Sequence, residues 1–139
     1  MGRHVSESSL ATVLAADPGV VAGYLFGSHA EGRVHRDSDV DLGVLFNREV
    51  YDTARRRFEA RLRLTGELGR ALGRTDVDLV VLNDAPPSLA RAIVTRGRRV
   101  FCRDAEADHA HRRTVLLRAA DLEPFLRRAR AVKLDAVRR

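Results

Sequence analysis

Val20-Val21-Ala22-Gly23-Tyr24-Leu25-Phe26-Gly27-Ser28, a spacer of ten residues, and then Asp39-Val40-Asp41-Leu42-Gly43-Val44-Leu45-Phe46 decide the fold. The run from Val20 to Phe26 is almost unbroken in its apolar character and is long enough for one strand buried on both faces. Gly27-Ser28 stops it. The spacer is polar, rich in His, Arg and Gly, and reads as a short turn that includes a helical turn. Asp39 to Phe46 reads as a second strand. Side chains alternate along a strand, so Asp39 and Asp41 point the same way, about 7 Å apart. Gly27 lets the backbone come close to a ligand, and free N–H groups at a helix start attract phosphate. Ser28 adds a hydroxyl donor. One element thus offers a phosphate cradle and the next a pair of carboxylates.

Upstream, residues 6–16 read as a short helix with Ser6 at its cap and Leu10, Val13 and Leu14 on one face. Asp17-Pro18-Gly19 breaks it. Downstream, Tyr51, Ala54, Phe58, Leu62, Thr65, Leu68 and Leu72 recur at steps of three and four. That spacing predicts a long helix with those residues facing the core. Gly66, Gly69 and Gly73 weaken its end. Val77 to Leu82 is a third strand, Pro86-Pro87 opens a helix that runs to Arg96, and Gly97 suits its end. Arg99 to Cys102 is a short fourth strand. The remainder is helical, with Val115, Ala119, Leu122, Leu126, Ala129, Val132 and Ala136 on one face. Pro124 either opens a fresh helix after Asp121 or kinks one longer helix. This order predicts an α/β (α+β) fold, a small mixed sheet of about four strands covered by helices. Residues 1–139 are expected to form one domain, with a core over about 5–103 and a helical region over about 104–139.

With 139 residues, 45% apolar and 32% charged, there is room for one modest core. No apolar run approaches the roughly 18 residues of a membrane span. The first ten residues lack the apolar stretch of a signal peptide. Cys102 is the single cysteine, so no intrachain disulfide can form. A cytoplasmic protein without membrane contact is the expectation. The formal charge is +6, and the whole excess lies in residues 112–139; every basic residue but Lys133 is arginine. The skew reflects codon usage as much as phosphate recognition. Aromatic residues are too few, at 5%, for a base-stacking surface, so direct nucleic-acid binding is not expected.

Asp78 adds a third carboxylate in the otherwise apolar segment Val77-Asp78-Leu79-Val80-Val81. Placed beside the Asp39 strand, its backbone would lie about 4.8 Å away. Two such charges 5 Å apart repel by roughly 3 kcal/mol at an effective dielectric near 20. A proton or a cation must relieve that cost. Oxygen-only ligands next to a phosphate cradle favour Mg²⁺, and two such ions would stabilise the attacking and leaving oxygens of an in-line displacement. The chemistry implied is phosphoryl or nucleotidyl transfer from a nucleoside triphosphate. Asp76 lies on the same face as Asp78 and competes for the third position.

The stretch GSHAEGRVHRDSDVDL resembles the signature of nucleotidyltransferases related to DNA polymerase beta. Gly27, Ser28, Asp39 and Asp41 match its hallmark one by one, Asp78 matches the third carboxylate, and Gly32 and Ser38 stand where such sequences often carry Gly and Ser. The small size and the run VDLVVLNDAPPSLARAIVTRG are similar to one branch, the MntA-type minimal nucleotidyltransferase antitoxins. The resemblance implies AMP transfer from ATP to a tyrosine of a cognate HEPN-class (HepT-like) ribonuclease toxin in a hetero-complex. It also implies roles. Gly27 and Ser28 hold the ATP phosphates, Asp39 and Asp41 bind nucleotide-linked Mg²⁺, and Asp78 completes the metal site and helps deprotonate the tyrosine.

Other readings stay open. Relatives modify small molecules such as aminoglycosides, although the roughly 35 residues after the fourth strand leave little room for an acceptor domain. A non-catalytic antitoxin could block its partner by contact alone. Arg33, Arg36, His29 and His35 flank the motif and read mainly as loop polarity. His109 and His111 are two apart on a helix, which puts them on different faces and makes them a poor metal pair.

Overall fold

The computed structural model describes residues 6–27 and 39–138, with side chains described for all of these except 122–127 and 129–138. Ser28, Gly32, Arg33, Arg36, Ser38, His29 and His35 lie outside the described residues, as does the helical turn expected of the spacer. The chain runs α1 (Glu7–Ala16), β1 (Val20–Phe26), β2 (Val40–Phe46), α2 (Ala54–Leu72), β3 (Val77–Val81), α3 (Pro87–Arg96), β4 (Arg98–Cys102) and α4 (Ala105–Arg138). The caps have chemical causes. Ser6 accepts from the Ser9 N–H, Thr53 from the Arg56 N–H, and Asp104 from the Ala107 N–H, each satisfying a donor left over in a first turn. Gly73 ends α2 in the left-handed region at φ 65°.

The sheet order is β3-β2-β1-β4. β1 runs antiparallel to β2 and to β4, while β2 and β3 are parallel, joined by α2 as a crossover. A register shift between Val20 and Ala22 turns over the rest of β1. Val20 therefore joins the core under α1 and α2, with Val40, Leu42, Val44, Phe46, Leu64, Leu68 and Leu79. Ala22 and Tyr24 join the core under α3 and α4, with Leu45, Ile93, Val94 and Val115. Strands covered on both faces read as unbroken apolar runs, which is why β1 was legible from its composition.

Two expectations for α2 need correction. Tyr51 precedes the helix instead of starting its stripe: its ring packs edge-on against Phe46 at 5.1 Å, and its hydroxyl donates to Asp17 at 2.8 Å. The buried face is Arg57, Ala60, Leu64 and Leu68, whereas Phe58 and Leu62 are 51% and 57% exposed. The helix has turned so that an arginine lies inward. Arg57 can be buried because its guanidinium forks onto Asp84 with two bonds of 2.9 Å and donates to the Tyr51 carbonyl at 3.0 Å. The other departures are small. Asp39 lies just outside β2, β3 stops at Val81, and β4 begins at Arg98. Gly97 has an extended backbone; it is needed because a Cβ there would collide with the Ile93 and Leu25 carbonyls. α4 continues as one helix through position 124.

Candidate active site

The parallel register between β2 and β3 pairs Val40 with Val77 and Asp41 with Asp78. Paired residues on adjacent strands share a face, and their backbones lie about 4.8 Å apart. Asp41 and Asp78 therefore stand side by side. On its other flank Asp41 pairs with Phe26, the last residue of β1. Gly27 follows at φ 72°, the left-handed region that glycine occupies without strain. A Cβ added at Gly27 would run into the Asp41 carboxylate. The two halves of the motif, separated by the spacer in sequence, thus meet in space at the point of Gly27–Asp41 contact.

Asp39 precedes β2 and is exposed. By alternation it shares the face of Asp41. The ladder extends one residue below β3, because the Val40 N–H bonds the Asp76 carbonyl at 2.9 Å. Asp39 and Asp76 therefore face each other as Asp41 and Asp78 do, giving two rows of two aspartates. Among the described residues, no three His, Cys, Asp or Glu side chains are already gathered tightly enough to hold an ion. Asp41 and Asp78 are brought together by register, and Asp39 lies at the open end of the row. Ser28 lies outside the described residues.

Arginines that the sequence reading passed over balance this charge. Arg74 forks onto Asp76, with Nε to Oδ1 at 2.7 Å and Nη2 to Oδ2 at 2.5 Å. That fork raises the guanidinium above its ordinary value; Asp39 adds to the rise. Arg61 donates to the Leu79 carbonyl at 2.6 Å and reaches within 3.9 Å of Asp78. The signal for Arg74 was its place two residues before Asp76 in the turn that enters β3. Arg61 had no comparable signal, because it arrives from α2 around the sheet edge.

On the same sheet face Tyr24 donates to both oxygens of Asp108, at 2.8 and 2.7 Å, and Arg99 donates to Asp108 at 3.0 Å. Burial, then the bond and charge of Asp108, raise the Tyr24 phenol well above its ordinary 10.0. Tyr24, Gly97, Arg99 and Asp108 wall a crevice of about 620 Å³, and Leu45, Asn47, Leu82 and His111 wall another of about 730 Å³ at the far end of β2. Asp39, Asp41 and Asp78 line neither.

A mixed sheet with a glycine turn closing on an aspartate, and a further aspartate registered beside it, is the architecture of a nucleotidyl-transferring domain. The chain belongs to the polymerase beta nucleotidyltransferase family, whose model matches residues 8–106. Protein adenylyltransferase MntA of Shewanella oneidensis is 41% identical over 78 residues, covering 56% of this chain and 51% of that protein. That match spans about half of the relative's length. A chain of the crystal structure of a toxin–antitoxin with AMP-PNP superposes with a TM-score of 0.72 at 29% identity, covering 97% of this chain and 100% of that one. A chain of the tri-AMPylated Shewanella oneidensis HEPN toxin in complex with MNT antitoxin does so with a TM-score of 0.65 at 27% identity, covering 96% of each. Among the described residues no helix is long and apolar enough to cross a membrane.

Proposed function

We propose that this chain is an antitoxin that transfers AMP from ATP to a tyrosine hydroxyl of a cognate HEPN-class ribonuclease toxin and so silences it. The observation that carries the reading is the Asp41–Asp78 register pair closed on one side by Gly27. The similarity to an adenylyltransferase and to toxin–antitoxin complexes supplies the acceptor class.

The residues fit a divalent cation by the chemistry of their donors: carboxylate oxygens alone, on one face, beside a backbone turn. Asp39, Asp41 and Asp78 would hold Mg²⁺, which when bound offsets the charge of the triphosphate and of the departing pyrophosphate. Gly27 and Ser28 cradle the phosphates. The tyrosine oxygen attacks the α-phosphorus, the bond from that phosphorus to the bridging oxygen breaks, and pyrophosphate leaves. Asp78, more exposed than Asp41, takes the phenolic proton. Positioning and charge neutralisation do most of the work in such a displacement.

The test is to incubate the purified chain with ATP, Mg²⁺ and the cognate toxin, and to read intact masses. The toxin should gain one or more AMP residues, and the Asp39→Asn/Asp41→Asn variant should add none and fail to protect cells. An unmodified toxin would end the proposal. Full protection by the double variant would show that contact alone neutralises, and transfer to an aminoglycoside in place of the toxin would establish a small-molecule acceptor.

A further inference from the structure

Four aspartates occupy the metal-facing rows, yet the proposed cation takes three, and the fourth has a dedicated partner. Asp76 opposes Asp39 across the β2–β3 ladder, through the bond from the Val40 N–H to the Asp76 carbonyl. Its carboxylate is gripped at both oxygens by Arg74, and the pair is partly buried, with 18% and 31% of the two side chains exposed. A planar guanidinium that meets a carboxylate through two parallel bonds fixes its direction as well as its charge. Arg74 also lies close enough to Asp39 to feel its charge.

We infer that Arg74 is a positioning residue that selects the metal ligands: it holds Asp76 out of the cation site and leaves Asp39, Asp41 and Asp78 to face it. This rests on the adenylyltransferase reading for the use of the metal, but not for the selection of ligands. Without the fork, Asp76 turns toward the cation and a fourth carboxylate enters the site. The metal then binds more tightly on its own, while the extra negative charge opposes the triphosphate. A residue that acted only through its charge near Asp39 would leave the cation's affinity unchanged when lysine replaces it.

The experiment titrates Mn²⁺, as a spectroscopic substitute for Mg²⁺, into the full chain without nucleotide or toxin, and reads free ion by electron paramagnetic resonance. Arg74→Lys, which keeps the positive charge but loses the fork, should bind Mn²⁺ roughly tenfold more tightly than the wild type, the scale that one more nearby carboxylate imposes. Arg74→Lys/Asp76→Asn should bind no more tightly than Asp76→Asn alone, because the carboxylate that enters the site is then missing from both. Circular dichroism melts confirm that each variant folds; should Arg74→Lys unfold, Arg74→Gln takes its place and is read by the number of Mn²⁺-bound waters, which a fourth carboxylate lowers by one. Unchanged or weaker Mn²⁺ binding on loss of the fork overturns the inference. So does a gain of the same size when Arg74→Lys is made in the Asp76→Asn background, because the gain would then not come from the fourth carboxylate. No toxin is present, so a toxin that gains no AMP would defeat the functional reading without touching this result.

Discussion

Gly27 is the residue on which most depends. Its φ of 72° suits glycine, and the space beside it is filled by the Asp41 carboxylate. Gly27→Ala therefore meets two penalties, backbone strain of about 1–3 kcal/mol and displacement of a site aspartate. We expect AMP transfer to fall by about tenfold or more while the domain still folds, because a small misplacement of reacting groups is costly. A variant with wild-type initial rates would disprove the close contact. His111 gives a prediction in pH. Its Nδ1 is buried and has no hydrogen-bond partner among the described residues, and burial lowers its pKa below the ordinary 6.5. The unfolded chain then binds the proton more readily, so this site's contribution to stability is intact above about pH 6.5 and is lost as pH falls below it. Urea midpoints should drop from pH 8 to about pH 5.5 in the wild type, and drop less in His111→Gln. Equal losses in both proteins would exclude His111 as the source.

At the scale of elements, α2 shows where sequence patterning reaches its limit. Phe58 and Leu62 fit a 3.6-residue period, but Ala60, Leu64 and Leu68 are the residues that pack, and Arg57 completes their face. A hydrophobicity pattern has no means of burying an arginine, since the partner that permits it, Asp84, lies 27 residues away. Asp84→Ala should strand that guanidinium and cost about 2–4 kcal/mol, below the upper range for a buried pair because Asp84 is partly solvated. Chemical denaturation would measure it, and a loss under 0.5 kcal/mol would mean that water replaces the carboxylate. Strands were easier to read. The apolar run from 20 to 26 lies within the sheet with both of its faces covered by helices, and the run from 77 to 81 forms the edge strand β3. The parallel neighbour relation that registers Asp41 with Asp78 follows from strand order, which no local pattern states. The arginines around the aspartates were missed for a related reason: a guanidinium reaches its carboxylate by a route that only the folded backbone defines.

At the scale of the whole molecule, the sheet depends on both helical layers. α4 closes the core under α3 and α4 with Val115, and it supplies Asp108 to the buried Tyr24 hydroxyl. The sequence suggested a core ending near residue 103 and a helical appendage after it. The packing makes the first turns of α4 part of the core. A chain ending at residue 103 should express poorly and show no cooperative melt, since it leaves Tyr24 uncovered and forfeits about 1.5–3 kcal/mol for Val115 alone. A sharp thermal transition in that fragment would show α4 to be dispensable. The parallel pairing of β2 and β3 has a consequence in time. Hairpins can form as soon as their turns do, but parallel neighbours must wait for the crossover between them. Asp41 and Asp78 are 37 positions apart, with all of α2 between them. A chain emerging from the ribosome therefore carries half of its charge pair long before the other half is made. By this design, chemistry begins only when folding is nearly finished.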